Sequence, residues 1–270
     1  MENWENSFPE LVKTKWAGKR VYYYESIDST NRKAWELGEI GSAPHGSLVL
    51  ADSQTAGIGR RGRQWDSPAG ENLYFSLLMY PGIPTDRASM ITLIMASAVA
   101  EAVEQTGACG EKRPGIKWPN DILLGERKVA GILTQMQAAA GQIRYVVVGV
   151  GINVSSREFP GELADKATSL ENELNKPISR KILLATVVER FERYYEQFCA
   201  EGSLCGLRSA YERRLINVGR MVRVLDPAGE FTGTALGISD AGELLVRTED
   251  GKVYQIYAGE VSVRGIYGYV

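Results

Sequence analysis

The residues Gly57–Arg63 read GIGRRGR and bring three glycines and three arginines together. Glycines at this density let the backbone approach a ligand closely and aim several N–H groups at it. Arginine adds a planar fork of donors that matches phosphate or carboxylate oxygens. The wider stretch Gln54–Trp65 therefore suits a nucleotide or an acyl-phosphate. It has no Lys-Ser/Thr pair, so it is not a P-loop. A solvated basic turn and a nucleic-acid-binding patch are the competing readings.

Four more segments carry groups that can do chemistry. In Lys117-Trp118-Pro119-Asn120-Asp121, proline biases Trp118 toward extended backbone and makes a corner that displays Asn120 and Asp121. A carboxylate there can help hold Mg²⁺, although Pro-Asn-Asp is also ordinary turn composition. In Arg127–Leu133, Lys128 opens an apolar strand. It can set a point charge where charge develops in acyl transfer, or simply blunt a sheet edge. Val148–Asn153 holds two glycines in an apolar run, a sign of close approach, with Asn153 able to bond a sugar hydroxyl; it is not a dinucleotide fingerprint. Asp28-Ser29-Thr30-Asn31 can cap a helix or bind a polar ligand head. His45 follows Pro44 in a turn and reads as structural.

These segments need elements to hold them. Strands are expected at Val21–Glu25, Ser47–Ala51, Asn72–Tyr80, Gly115–Trp118, Ile122–Leu124, Val129–Gln135 and Tyr145–Asn153. Asp121–Leu124 and Lys128–Leu133 form a hairpin through Gly125-Glu126-Arg127. Helices are expected at about Arg32–Leu37, Asp86–Thr106, Arg180–Cys199 and Leu204–Ile216, the second from apolar residues Ile91, Ile94, Met95, Ala98, Val99 and Val103. From Gly219 onward the pattern becomes short strands: Met221–Leu225, Phe231–Ile238, Leu244–Arg247, Val253–Tyr257 and Val261–Val263. Pro-Ala-Gly, Asp-Ala-Gly and Glu-Asp-Gly mark turns between them, which suggests a small barrel. The expected architecture is an α+β unit over residues 1–217, a mixed sheet flanked by helices, followed by a β-barrel over 218–270.

Composition narrows the classes. At 270 residues, 44% hydrophobic and 24% charged, the chain is long enough for a large core plus a small unit. A formal net charge of -2 gives no global pull toward nucleic acid, so anion binding must come from local clusters. Three cysteines fit no zinc spacing, and the single histidine excludes a multi-histidine metal site. The acidic N-terminus lacks the features of an export signal, and Ile91–Val103 is too short and too polar to span a bilayer, so a cytoplasmic protein with no membrane partner is expected.

Read in order, DSTN, QTAGIGRRGRQW, KWPND, RKVAGIL, GVGINV and the ATSL at Ala167–Leu170 resemble the motif series of biotin protein ligases. The match runs from about Val21 to Leu170 and continues weakly through the C-terminal strands. The resemblance implies a sheet related to class II aminoacyl-tRNA synthetases and an SH3-like barrel. It implies that ATP, with Mg²⁺, and biotin give biotinyl-5′-AMP, and that a lysine on the biotin carboxyl carrier domain of acetyl-CoA carboxylase or another biotin-dependent carboxylase then takes the biotin. By the same resemblance Ser29, Thr30, Asn31 and Gln54 meet the ureido ring. The backbone of Gly57, Ile58 and Gly59 closes over biotin, with Arg60, Lys128 and Gly131 alongside. Arg60, Arg61, Arg63, Trp65, Asn120, Lys128 and Asn153 face the adenylate, Lys128, Arg60 and Asp121 carry the chemistry, and Asp121 orients metal or amine. Homodimers occur in such a family.

Two features depart from the pattern. Ile58 stands where the family loop most often has arginine, so the backbone must make the contact there. Some bacterial members also carry an N-terminal winged helix that represses transcription; here about twenty residues precede the first matching strand, and a ligase without repressor activity or DNA partner is expected. A lipoate or octanoate ligase of the same superfamily is the nearest rival, and a non-enzymatic nucleic-acid binder the rival of another class.

Overall fold

A computed structural model describes residues 4–226, 229–258 and 262–265. The first unit contains helix α1 (Trp4–Leu11), strand β1 (Val21–Ile27), helix α2 (Thr30–Ile40), and strands β2 (Ser47–Gln54) and β3 (Leu73–Met79). Helix α3 (Ala88–Gln105) follows, then strands β4 (Pro114–Lys117), β5 (Asp121–Leu124), β6 (Arg127–Ala139) and β7 (Gln142–Ile152). Helices α4 (Leu170–Leu174), α5 (Arg180–Glu201) and α6 (Cys205–Glu212) complete it. The strands form one seven-stranded sheet in the order β1-β2-β3-β7-β6-β5-β4. Only β1 and β2 run parallel; the remaining pairs are antiparallel.

Helix α3 is buried along most of its circumference, because it lies between the sheet and α5. Its apolar residues join the main core with Phe75, Leu77, Val148 and Val150 of the sheet. Helix α5 starts on Ser179, whose hydroxyl accepts from Ile182 N–H, and stops at Gly202 in the left-handed region. Helix α2 covers the opposite sheet face with Ala34 and Leu37. Helix α1, which the sequence pattern did not reveal, buries Trp4 and Phe8.

The C-terminal strands are β8 (Met221–Asp226), β9 (Gly229–Ile238), β10 (Leu244–Arg247), β11 (Val253–Ile256) and β12 (Ser262–Gly265). They form an antiparallel sheet in the order β11-β10-β9-β8-β12. The pairings among the described residues make a five-stranded sheet, without the closing pair that a complete barrel needs. Pro227 and Ala228 of the expected Pro-Ala-Gly turn and the expected strand start at Val261 lie outside the described residues.

Candidate active site

Sheet register assembles the site face. Residues paired across antiparallel strands point to the same side. One such row runs Tyr74, Gly151, Gly131, Asp121, Lys117 from β3 to β4. The adjoining row runs Ser76, Gly149, Leu133. Three glycines thus floor a cleft of about 450 Å³ of empty space, counting the part that opens to solvent.

Each glycine makes room for a particular side chain. A Cβ on Gly149 would stand 1.8 Å from Asn31 Oδ1. One on Gly151 would stand 2.5 Å from the Trp65 indole, and one on Gly131 would stand 2.9 Å from both Trp65 and Lys128 Nζ.

One end of the cleft is neutral and polar. Ser29 occupies the N-cap position of α2 in extended backbone, yet its hydroxyl makes no capping bond; it lines the cleft instead. Ser76 Oγ lies 2.8 Å from Thr30 Oγ1 and 2.6 Å from Asn31 Oδ1. Asn31 Nδ2 donates to Gln135 Oε1 at 2.9 Å. Gln54 Oε1 accepts from Thr30 N–H at 2.9 Å, and its amide donates to Ser67 Oγ at 3.0 Å. Such a linked set of buried hydroxyls and amides is rigid, and satisfying it holds each group in one orientation.

The other end is charged. Arg60 lies on the cleft wall and donates to Asn120 Oδ1 at 3.0 Å, while Asn120 Nδ2 donates to Ile132 O at 2.9 Å. Burial pulls the Arg60 guanidinium below its ordinary value, opposed by the attraction of Asp121. Lys128 Nζ forms an ion pair with Asp121 Oδ1 at 2.6 Å and sits 5.2 Å from the Trp65 ring centroid. A register shift between Ile122 and Leu123 carries Lys128 onto this face: Leu123 pairs with Lys128, whereas Ile122 pairs with Ala130. A bulge of this kind re-aims a side chain that strict alternation would turn away. The backbone of Lys128 is held by Lys166 O and Thr168 N–H. Lys117 is buried beside Asp121, and burial pushes its ammonium down to about 8, against the attraction of Asp121.

The segment GIGRRGR is a folded hairpin rather than an open loop. Gly59 N–H donates to Arg63 O at 2.7 Å and Trp65 N–H to Gly57 O at 2.9 Å, with Ile58 bridged to Gln64. Gly57 must lack a side chain because Trp65 O would lie 2.5 Å from its Cβ. Arg61 takes the left-handed conformation at the tip (φ 59°).

Of the expected site residues, Ser29, Thr30, Asn31, Gln54, Ile58, Gly59, Arg60, Trp65, Asn120, Lys128 and Gly131 line the cleft. Asp121 reaches it through Lys128. Arg61 and Arg63 are exposed and off its wall, since the hairpin tip turns toward solvent. Asn153 is also off the wall: it is buried, and its amide donates to Thr168 O at 3.1 Å. Sequence reasoning missed Ser76, Gln135 and Lys117 as site groups, and it marked Gly149 and Gly151 only as points of close approach. Ser76 had a signal, the one small polar side chain in the otherwise apolar and aromatic run LYFSLLM. Among the described residues no group of three or more His, Cys, Asp or Glu is placed to hold a metal ion.

Comparison with known proteins agrees with this geometry. Residues 23–153 match the model of the Biotin/lipoate A/B protein ligase family, and residues 218–264 match the Biotin protein ligase C terminal domain. The "Bifunctional ligase/repressor BirA" of Bacillus spizizenii is 38% identical over 254 residues, covering 93% of this chain and 76% of that protein. The "Biotin--[acetyl-CoA-carboxylase] ligase" of Paracoccus denitrificans is 34% identical, covering 83% of this chain and 93% of that one. The solved structure of the biotin protein ligase from Aquifex aeolicus in complex with biotin and ATP superimposes with a TM-score of 0.79 at 33% identity, over 92% of this chain and 99% of that one. Matched over most of its length by relatives at 38% and 34% identity and by this solved structure, the chain belongs to the biotin protein ligase family.

Proposed function

We propose that this protein is an ATP-dependent ligase that activates biotin as biotinyl-5′-AMP and transfers it to a lysine of a biotin carboxyl carrier domain. The observation that carries the reading is one cleft with two chemically distinct ends, joined by a glycine floor. Ser29, Thr30, Asn31 and Gln54 offer neutral donors and acceptors suited to a ureido ring. Arg60 and Lys128 offer positive charge suited to a carboxylate meeting an α-phosphate. In the first step a biotin carboxylate oxygen bonds to the α-phosphorus as the bond to pyrophosphate breaks. In the second the lysine amine bonds to the acyl carbon, AMP leaves with the anhydride electrons, and the amine gives up a proton. Lys128 stabilises charge on the shared oxygens, and Asp121 holds Lys128 in place. Trp65 Nε1 is a buried donor without a partner among the described residues, which suits a polar ligand group at the glycine floor.

Mg²⁺ usually keeps several waters and takes one or two carboxylates together with substrate phosphates. Asp121 fits that pattern as a single protein ligand to an ion arriving with ATP, whose charge would offset that of the phosphates. Arg61 and Arg63, exposed beside the cleft, would meet the outer phosphates if the hairpin tip folds inward, and Asn153 would act on the nucleotide only through the backbone it anchors.

The test is pyrophosphate–ATP exchange with biotin, lipoate or octanoate as the acid. Exchange with biotin alone is expected; exchange with lipoate but not biotin refutes the reading. Labelling of a purified carrier domain at its lysine then checks the transfer step. Repressor activity is not part of this proposal, a reading supported by the net charge of -2 and by the inward aim of Arg60. A salt-sensitive shift of duplex DNA would overturn that part. Cytoplasmic residence goes with the same substrates, no described helix being long and apolar enough to cross a membrane. Sedimentation with and without biotin and ATP would show whether a homodimer forms.

A further inference from the structure

We infer that Trp118 is a positioning residue for the cationic end of the cleft, held in place by the turn between β9 and β10 of the C-terminal sheet. This rests on the ligase reading above. Trp118 is 2% exposed, lies in the turn after β4, and uses both of its N–H groups on residues far along the chain. The indole Nε1–H donates to Gly242 O at 3.0 Å, in the turn between β9 and β10. The backbone N–H donates to the side chain of Asn217 at 2.9 Å.

The turn that receives the indole is itself held. Ser239 N–H donates to Glu243 O, Gly242 N–H to Ser239 O, and Leu204 N–H to Asp240 O. Gly242 has a φ of +80°, and a Cβ there would stand 3.0 Å from Leu93 of α3 and 3.1 Å from Leu204. The turn is thus wedged against the core of the first unit. The chain leaving α6 also runs along the outer edge of β4: Ile116 N–H donates to Arg214 O at 2.7 Å, and Ile216 N–H to Ile116 O at 3.0 Å. The Arg264 charge on β12 bears on Lys117, the residue before Trp118.

Immediately after Trp118 the chain presents Asn120, which holds Arg60, and Asp121, which holds Lys128. Two residues therefore separate a bond to the C-terminal sheet from the group that fixes the cationic end of the cleft. Among the described residues the neutral end, built on α2, β2 and β3, makes no hydrogen bond to the C-terminal sheet. Losing the anchor should disturb the ATP end and leave the biotin end alone.

The experiment uses the full chain with Trp118→Phe, which keeps the ring buried and removes one bond, and Asn217→Ala, which removes the other bond from a different residue. Val246→Ala, in the buried interior of the C-terminal sheet, controls for general loss of stability. Biotin-dependent pyrophosphate–ATP exchange, biotin affinity by calorimetry and thermal melting are measured on each. Trp118→Phe should raise the KM for ATP about three- to tenfold, as expected for one orienting hydrogen bond, with biotin affinity unchanged. Asn217→Ala should shift the same way, and Val246→Ala should lower the melting temperature without moving the KM for ATP. If Trp118→Phe does not fold, Asn217→Ala decides by the same criterion. Wild-type KM for ATP in the anchor variants, or an equal rise in Val246→Ala, overturns the inference while leaving the ligase reading intact. Absence of biotin-dependent exchange in the wild type removes the ligase reading, and this inference with it.

Discussion

Replacing Gly149 with alanine tests how the glycine floor and the neutral pocket depend on each other. The new methyl would stand 1.8 Å from Asn31 Oδ1, 2.6 Å from its Cγ and 2.9 Å from its Nδ2. No carbon tolerates those separations, so the Asn31 amide must leave. It would abandon the bond from Ser76 Oγ at 2.6 Å and its own bond to Gln135 Oε1 at 2.9 Å, together with a long one to Leu133 O at 3.4 Å. Two good bonds and one weak one, each worth about 1 kcal/mol net, come to about 2–3 kcal/mol. Because the amide is buried before any ligand binds, that sum falls first on stability, as a melting temperature several degrees lower. The displaced amide would also no longer stand on the cleft wall, so biotin affinity should fall at least about tenfold, the weight of a single well-placed bond. The KM for ATP should stay near wild type, since Arg60, Asn120, Lys128 and Asp121 are untouched. Gly151→Ala makes the contrast: its methyl would meet the Trp65 indole at 2.5 Å, so it should impair the ATP step instead. Calorimetry with biotin, exchange kinetics and melting curves on both variants give the result. Biotin affinity within twofold of wild type in Gly149→Ala, with an unchanged melt, would refute the proposed seat of Asn31.

Other outcomes follow from the same geometry. Lys128→Ala should lower biotin-dependent exchange by about 10²–10³-fold while the far-ultraviolet spectrum and melt stay close to wild type, and unchanged turnover would remove its assigned role. Arg60→Gly should cut the tie from the hairpin to Asn120 and let adenylate escape, seen as biotin on lysines of a bystander protein; no rise in such labelling contradicts a retention role. Burial holds the His45 imidazole below its usual range, with the Glu192 charge opposing. Below about pH 6.5 the unfolded chain therefore takes up a proton that the folded chain resists, and stability should fall as pH drops through that region. His45→Asn, which can still offer an acceptor to Tyr80 N–H, should flatten this slope in melts taken between pH 5 and 7; an identical slope would exclude His45 as its source.

The element pattern was largely legible because it depends on local periodicity and turn residues. The hairpin through Gly125 and the strands β8, β9, β10 and β11 lie within a few residues of where alternation and turn signals set them. Helix α1 was hidden, since eight residues with Pro9 inside carry too little periodicity, and its stability comes from docking Trp4 and Phe8 into the core. The conformation of GIGRRGR was not legible in the sequence because glycine permits many conformations. Hydrogen bonds from Gly59 to Arg63 and from Trp65 to Gly57 select one of them.

Residue types by themselves determined the chemistry on offer: a glycine–arginine segment for anions, hydroxyls and amides at Ser29–Asn31, a lysine at the head of an apolar strand, and too few histidines for a multi-histidine metal site. Motif order determined the family. Which of these groups meet was decided only by the tertiary structure. Sheet register put Gly131 beside Gly151 and Gly149 beside Ser76, across separations that no local pattern encodes. The shift between Ile122 and Leu123 brought Lys128 to the face of Asp121, and the inward packing of Asn153 removed it from the cleft wall. Pairing partners depend on where whole strands lie, and side-chain direction reverses with a single inserted residue, so neither is written in the spacing of a motif.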